Sequence, residues 1–363
     1  MKKDTHKAQI EALAPFCGND MYLVNTSSTP DPDSTAFLGR QVKPDISCYS
    51  KPAPLGSCIT RARDMETFIE LKNREIDEPY CDNIDEPFER DTKDSRDTRG
   101  QLAAYLNAIQ ATQNRTHTFG VFINRHLCRL LHHTRSCTVV TKLFNYTNST
   151  HLQNFFWRFT HADAAAWGHD GTFEAIKADS DEAQEAHTAL GLSARAPLFK
   201  VPITNNLRNR TTFYIVSKPF ANNDVLPVGR GTRCYKAYDC QTREVVLLKD
   251  TWRVEGYLPE GDVYRRLHEA GVSNIAGLIT AGDVHGPTHK CGDTEIIKAR
   301  TTGASIRHHV HYRLVLDTVG GPLTDFSSTW ELVNAVKCAL ICRCLLFNGN
   351  RSEERRVGKE CSS

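Results

Sequence analysis

The sequence predicts a mixed α/β chain, of the α+β kind, with two domains in series followed by the start of a further lobe. Three observations predict it. The 363 residues exceed the usual allotment of about 100–200 per domain. Strand-like and helix-like segments run strand, strand, helix, strand, strand between Phe37 and Lys142. From Leu198 the pattern changes to short β-favouring runs interrupted by one helix, Glu260–Ala270. The boundaries that follow are a flexible tail over 1–33, an α/β domain over 34–195, a second domain over 198–320, the beginning of a helical lobe over 321–350, and a terminal stretch over 351–363.

The tail begins with a short helical pattern and then enters Asn25-Thr-Ser-Ser-Thr-Pro-Asp-Pro-Asp33, a composition that marks a loop. In the first domain Phe68 and Ile69 lead a strand into Glu70-Leu-Lys72. The Leu- and Ala-rich run Arg99–Ala111 predicts a helix with Gln101 and Tyr105 one turn apart on one face. Strands follow at Thr118–Ile123 and Thr138–Lys142, joined by a link carrying Arg125, Arg129, His132, His133 and Arg135. That link predicts a basic hairpin surface, with phosphate contact as the other reading. The acidic run between Glu75 and Asp97 predicts a solvated loop.

Residues 151–190 have a helical pattern, and the crowded Phe155, Phe156, Trp157 and Phe159 point to a core helix. The second domain predicts strands at Leu198–Ile203, Thr212–Ser217, Cys234–Tyr238, Val245–Lys249, Ile296–Lys298 and Tyr312–Leu316. His308, His309 and His311 approach the last strand and are expected at the surface; His161 and His169 show no ligand spacing. Trp330–Leu346 predicts a long helix whose Val333 and Leu340 lie on an exposed apolar face.

Composition narrows the function classes. Basic residues exceed acidic ones by two, 45 against 43, so there is no bulk attraction to nucleic acid or membrane. No signal peptide is recognisable and no apolar run is long enough to span a bilayer. The 13 cysteines are scattered, with Cys338, Cys342 and Cys344 the only cluster and no C-x-x-C spacing. They predict reduced thiols and an intracellular protein of cytoplasm or nucleus.

One candidate site lies in the first domain. Asp45, after Pro44, and Glu70 can converge from neighbouring strands to hold Mg²⁺ through hard oxygen ligands. Lys72 shares a strand face with Glu70 and is placed to polarise a water or stabilise phosphate charge. The same residues also fit an exposed strand-face ion pair and an ordinary Pro-Asp turn. The element order resembles the restriction-endonuclease-like fold of the PD-(D/E)xK nucleases, and Gln101 with Tyr105 matches the helix motif of one branch.

The second candidate site begins at Gly229-Arg-Gly-Thr-Arg233, where the third glycine of G-x-G-x-x-G is replaced by Cys234. It continues through Leu248-Lys-Asp-Thr-Trp-Arg253, Glu260-Gly-Asp-Val-Tyr264, Ala270-Gly-Val-Ser-Asn274 and His311-Tyr-Arg-Leu-Val-Leu-Asp317. Upstream stand Lys43-Pro-Asp-Ile46, Arg99-Gly-Gln101, Gln113-Asn-Arg-Thr-His117, Phe156-Trp-Arg-Phe159 and Gly168-His-Asp170. These blocks, in this order, resemble the fungal-type protein kinase family from about Pro44 to Leu340. The resemblance implies a kinase small lobe over 198–320 and a hinge at Leu314–Asp317. It also implies ATP held by Gly229, Gly231, Lys249, Leu316 and Asp317. The acidic partner of Lys249 falls on Asp262, with Glu260 a nearby substitute.

The implied activity is ATP- and Mg²⁺-dependent phosphoryl transfer to Ser or Thr of a protein substrate the sequence does not name. The 363 residues contain no H-R-D, D-F-G or D-W-D, which hold the catalytic base and Mg²⁺ in kinases. Residues 351–361 resemble a translated sequencing-library adapter, so the expectation is a truncated large lobe and an inactive fragment of an active parent. A pseudokinase or nucleotide-binding interaction module is the alternative, and a metal-dependent nuclease the third. Nucleic acid is a partner on that last reading and on the phosphate-contact reading of the basic link; no membrane partner is expected.

Overall fold

The strand Met65–Lys72 is buried along its first six residues, on both faces, as a central strand covered by helices must be. The structure, a computed structural model, describes residues 2–33, 40–51, 60–205, 208–222, 228–291, 306–321 and 323–341. It holds two β-sheets and a few helices, an α+β architecture. Two compact units divide the chain: 1–173 with 222–233 and 285–311, and 174–221 with 234–284 and 312–363.

The first unit runs α1 (Lys2–Leu13), β1 (Met21–Asn25), β2 (Ile46–Ser50), β3 (Met65–Lys72), α2 (Lys93–Thr112), β4 (His117–Asn124), β5 (Leu127–Thr134), β6 (Thr138–Val140), β7 (Phe144–Asn145) and α3 (His151–Thr160). Its strands follow chain order, β1 to β6, with β7 beside β5. Only β3 and β4 are parallel among these registers, Ile69 facing Val121 and Lys72 facing Asn124. Parallel neighbours need a crossover, and α2 supplies it. Thr92 caps α2 by accepting the Ser95 amide.

Period-two alternation splits the core between the two sheet faces. Phe68 and Phe122 pack with Leu102, Tyr105, Leu106 and Ile109 of α2. Their neighbours Ile69, Val121 and Ile123 face the other way, onto Leu13 of α1 and Leu152 and Phe156 of α3. Truncating Phe68 or Phe122 to alanine would cost about 3–5 kcal/mol.

Several expectations change here. Residues 2–25 are no flexible tail: Leu13 and Met21 are core residues, since α1 covers one sheet face. The acidic run folds too, with Asp77 and Glu78 buried. The basic link is itself strand β5. Arg129, His133 and Arg135 are buried rather than surface groups. Arg129 Nε bonds Glu78 at 2.7 Å and its Nη1 bonds Asp82 at 2.8 Å. The acidic run and the basic strand neutralise one another, which neither composition reveals alone. The helical pattern over 151–190 is realised as two helices, His151–Thr160 and Asp181–Leu190, with turns and a short strand between them.

The second unit runs β8 (Glu174–Ala175), α4 (Asp181–Leu190), β9 (Phe199–Asn205), β10 (Arg210–Val216), β11 (Ala221–Asn222), β12 (Arg233–Asp239), β13 (Val245–Val254), α5 (Glu260–Glu269) and β14 (Leu278–Asp283). Next in the chain come β15 (Lys290–Cys291), which groups with the first unit, and β16 (His309–Leu316), which belongs to the second from Tyr312 onward. The strand order is β14-β16-β13-β12-β10-β9-β8. Helix α4, expected in the first domain, groups here because Ala183 and Ala186 pack on Leu198, Ile215 and Tyr238. The sequence pattern missed β14. The expected strand Ile296–Lys298, Cys342, Cys344 and 351–363 lie outside the described residues. Residues 329–341 are helical, with Val333 65% and Leu340 55% exposed. Among the described residues no helix is long and apolar enough to cross a membrane.

Candidate functional site

At the C-terminal end of β3, five of the residues singled out from sequence meet. Lys72 Nζ lies 2.7 Å from Glu70 Oε1 and 2.9 Å from Gln101 Oε1. Gln101 Nε2 donates to the Tyr105 hydroxyl at 2.7 Å, which donates to the Lys43 carbonyl at 2.8 Å. Asp45, at the entry to β2, accepts the Leu71 amide at 2.9 Å. Helix α2 therefore orients the lysine through Gln101, and β2 brings Asp45 beside β3.

Burial pushes the Glu70 carboxyl up, Asp45 adds like-charge repulsion, and Lys72 only partly offsets them; the carboxyl titrates at about 7. Its second oxygen is buried without a hydrogen-bond partner. A buried carboxylate oxygen left in this state is costly, and a hard divalent cation would satisfy it. Sequence reasoning missed His6, whose Nε2 reaches Asp45 Oδ1 at 3.4 Å from α1. It was hidden because α1 was assigned to a tail.

Four residues earlier on the same strand, Glu66 behaves in the opposite way. Burial pushes its carboxyl up, but a hydrogen bond from His169 and the charge of Arg115 outweigh that and hold it at about 2. His169 Nε2 is 2.9 Å away, and Arg115 forms a buried ion pair with the same oxygen. His169, without a motif of its own, is the partner of a glutamate a hundred residues upstream.

In the second unit Lys249, on β13, places its Nζ 2.7 Å from both Glu260 oxygens. Both side chains are partly accessible, at 22% and 25%. Asp262, the expected partner, is instead held by Arg265 one turn on. Glu260 is the first residue of α5, opposite β13, whereas Asp262 points along the helix toward Arg265. Next to Lys249 in sequence, Asp250 turns to the opposite strand face and forms a buried ion pair with Arg313 at 2.8 Å. That pair anchors β13 to β16.

The glycine turn and the hinge residues have other partners. The Gly229 amide donates to the Arg135 carbonyl at 2.8 Å. Gly231, at φ +46°, passes so close to the Arg135 guanidinium that a Cβ would overlap it. These glycines belong to the first unit and Lys249 to the second. Leu316 pairs with Leu278 across β14 and β16. The Asp317 amide donates to the Gly277 carbonyl at 3.0 Å, and its carboxylate accepts the Gly277 amide at 2.8 Å. Of the three histidines expected at the surface, His309 and His311 are buried, at 7% and 2% exposure, while His308 is half-buried.

A profile of the fungal protein kinase family matches residues 70–303. The chain belongs to this family. The matched span runs from Glu70 at the β3 site through the Lys249–Glu260 pair. No curated protein and no solved structure matches the chain. Family membership supports a kinase-like, phosphotransferase function.

Proposed function

We propose that the second unit is the nucleotide-binding small lobe of an ATP-dependent protein kinase, whose parent transfers the γ-phosphoryl group to Ser or Thr. The observation that carries this is the Lys249–Glu260 pair, a strand lysine clamped by the glutamate of the helix that follows. In kinases that pair must be in place for activity, because it aims the lysine at the nucleotide phosphates. The neighbouring strands in the order β14-β16-β13-β12, with α5 following β13 in the chain, support that reading. ATP would supply the transferable phosphoryl group. Lys249 would meet its phosphates as a point charge, with Glu260 fixing the ammonium position.

The 363 residues contain no H-R-D or D-F-G, the motifs that hold the catalytic base and Mg²⁺ in kinases, so on this reading the chain is expected to bind nucleotide weakly and to transfer no phosphoryl group. A pseudokinase or nucleotide-binding interaction module uses the same pocket without chemistry. In the first experiment, ATP is added to the purified chain and unfolding is followed by differential scanning fluorimetry. Stabilisation that disappears in Lys249→Ala supports the lobe; stabilisation unchanged in that variant contradicts it. Labelled ATP, Mg²⁺ and a basic protein substrate then give no turnover above background.

A second reading is favoured by the first unit. The order α1-β1-β2-β3-α2-β4 and the Asp45, Glu70, Lys72 and Gln101 cluster fit a PD-(D/E)xK nuclease-like domain. The unpartnered Glu70 oxygen and the neighbouring Asp45 carboxylate suit Mg²⁺. Cleavage of DNA or RNA dependent on Mg²⁺ and lost in Glu70→Gln is the expected signature. Equal cleavage by that variant would remove the reading.

A further inference from the structure

We propose that Asp170, His289 and His311 form a buried transition-metal site, of Zn²⁺ type, within the first unit. The three side chains offer one ligand atom each, and these atoms lie within 4.8 Å of one another. All three residues are buried, at 6%, 6% and 2% exposure. Two imidazoles and one carboxylate are a donor set that suits Zn²⁺ and related borderline cations.

The spacing leaves room for an ion between Asp170 and the two rings. His289 Nε2 stands 3.6 Å from Asp170 Oδ1, and His311 Nδ1 stands 3.8 Å from Asp170 Oδ2. Both exceed hydrogen-bond length. They fit two ligands on one ion with bonds of about 2.0–2.2 Å at a tetrahedral or wider angle. The two histidine Nδ1 atoms share a hydrogen bond at 2.9 Å, with the rings 17° from coplanar; an ion taken by His289 Nε2 and His311 Nδ1 would displace that shared proton.

The chain holds each ligand in place by other means. Asp170 Oδ1 accepts the Thr172 amide at 2.9 Å and the Thr172 hydroxyl at 2.6 Å, the outer contacts that orient a ligating carboxylate. Its backbone amide donates to the Asn114 carbonyl at 2.9 Å, tying it to the entry of β4. His289 closes a turn by donating its amide to the Gly286 carbonyl at 3.2 Å. Gly286 has φ +146°, and a Cβ there would lie 2.8 Å from the His289 ring. His311 lies on β16 and its amide donates to the His289 carbonyl at 2.9 Å. The ligands come from positions 170, 289 and 311, far apart in sequence, so an ion would clip the 286–289 turn and the start of β16 to the 168–172 turn. Burial of all three makes the site structural rather than open to substrate.

The test starts from the unsubstituted chain, purified from zinc-supplemented cells and assayed for metal by plasma mass spectrometry. One equivalent of Zn²⁺ per chain is expected. Stripping with a chelator should lower the unfolding temperature, and Zn²⁺ alone should restore it. Cobalt replacement should give visible ligand-field absorption. Asp170→Asn and His311→Gln should each bind less than a tenth of the wild-type amount, and Gly286→Ala should reduce it by displacing His289. A chain with no metal after such loading, or metal content unchanged in Asp170→Asn and His311→Gln, would overturn the site. If the variants do not fold, the chelator and Zn²⁺ cycle on the unsubstituted chain decides alone: no change in unfolding temperature rejects the proposal.

Discussion

Two lysine–glutamate pairs in this protein have the same 2.7 Å contact and opposite surroundings. Glu70 is 3% exposed and stands beside Asp45, with one oxygen on Lys72 and the other without a partner. Glu260 is 25% exposed and places both oxygens on Lys249. Contact length therefore says little about what a pair does. Burial and the second oxygen decide it. The first pair is strained by its own charge and suited to a cation; the second is a satisfied clamp whose lysine remains near water.

The largest expected difference between them is in stability. Lys72→Met at pH 8 removes the cation that offsets the burial of Glu70 and its repulsion by Asp45, and breaking a buried pair in this way costs about 3–5 kcal/mol. Lys249→Met should cost about 1 kcal/mol or less, because that pair is partly solvated. Urea unfolding of both variants measures it, and equal costs would break the contrast. At pH 5.5 the Lys72→Met penalty should shrink, because Glu70 is then protonated.

The next effect is a pH dependence. Glu70 holds its proton up to about 7, above the ordinary 4.5. The folded state thus binds the proton more tightly than the unfolded one. The resulting stability is fully present below about 4.5 and is lost as the pH rises through about 7, by up to roughly 3 kcal/mol. Glu70→Gln should flatten that slope. Glu66, held at about 2, acts with the opposite sign: its contribution is present above about 4.5 and is lost as the pH falls toward 2. Glu66→Gln should remove only that acid limb, read from unfolding midpoints between pH 2 and 5.

A smaller effect distinguishes the two acids of α5. Glu260→Gln should weaken ATP binding severalfold by freeing Lys249 to wander, whereas Asp262→Asn should change it by less than about twofold. Reversal of that order would return the clamp to Asp262.

Much of the second unit was legible in the sequence because its strands are short, β-branched and separated by polar turns, as in Val245–Lys249 and Thr212–Ser217. The lysine stood out for the same reason. Its partner did not, since Glu260 and Asp262 are two residues apart and only the direction of the first helical turn chooses between them. The first unit was harder to read. Arg129 and Glu78 look like solvent-facing charges until the fold buries them against each other. The histidines at 289 and 311 are separated from Asp170 by more than a hundred residues, a distance no spacing rule crosses. Asp45, Glu70, Lys72 and Gln101 were found because Glu70 and Lys72 share a strand face and Gln101 with Tyr105 matches the helix motif of the nuclease branch that the element order resembles.

The central claim, that Lys249 and Glu260 form the phosphate clamp of a kinase small lobe, is tested most directly by isothermal titration of ATP into the unsubstituted chain and Lys249→Met. Saturable binding by the former and at least a tenfold loss in the latter, with an unchanged circular dichroism spectrum, is the predicted result. Absence of ATP binding by the unsubstituted chain, or equal affinity in Lys249→Met, would contradict it.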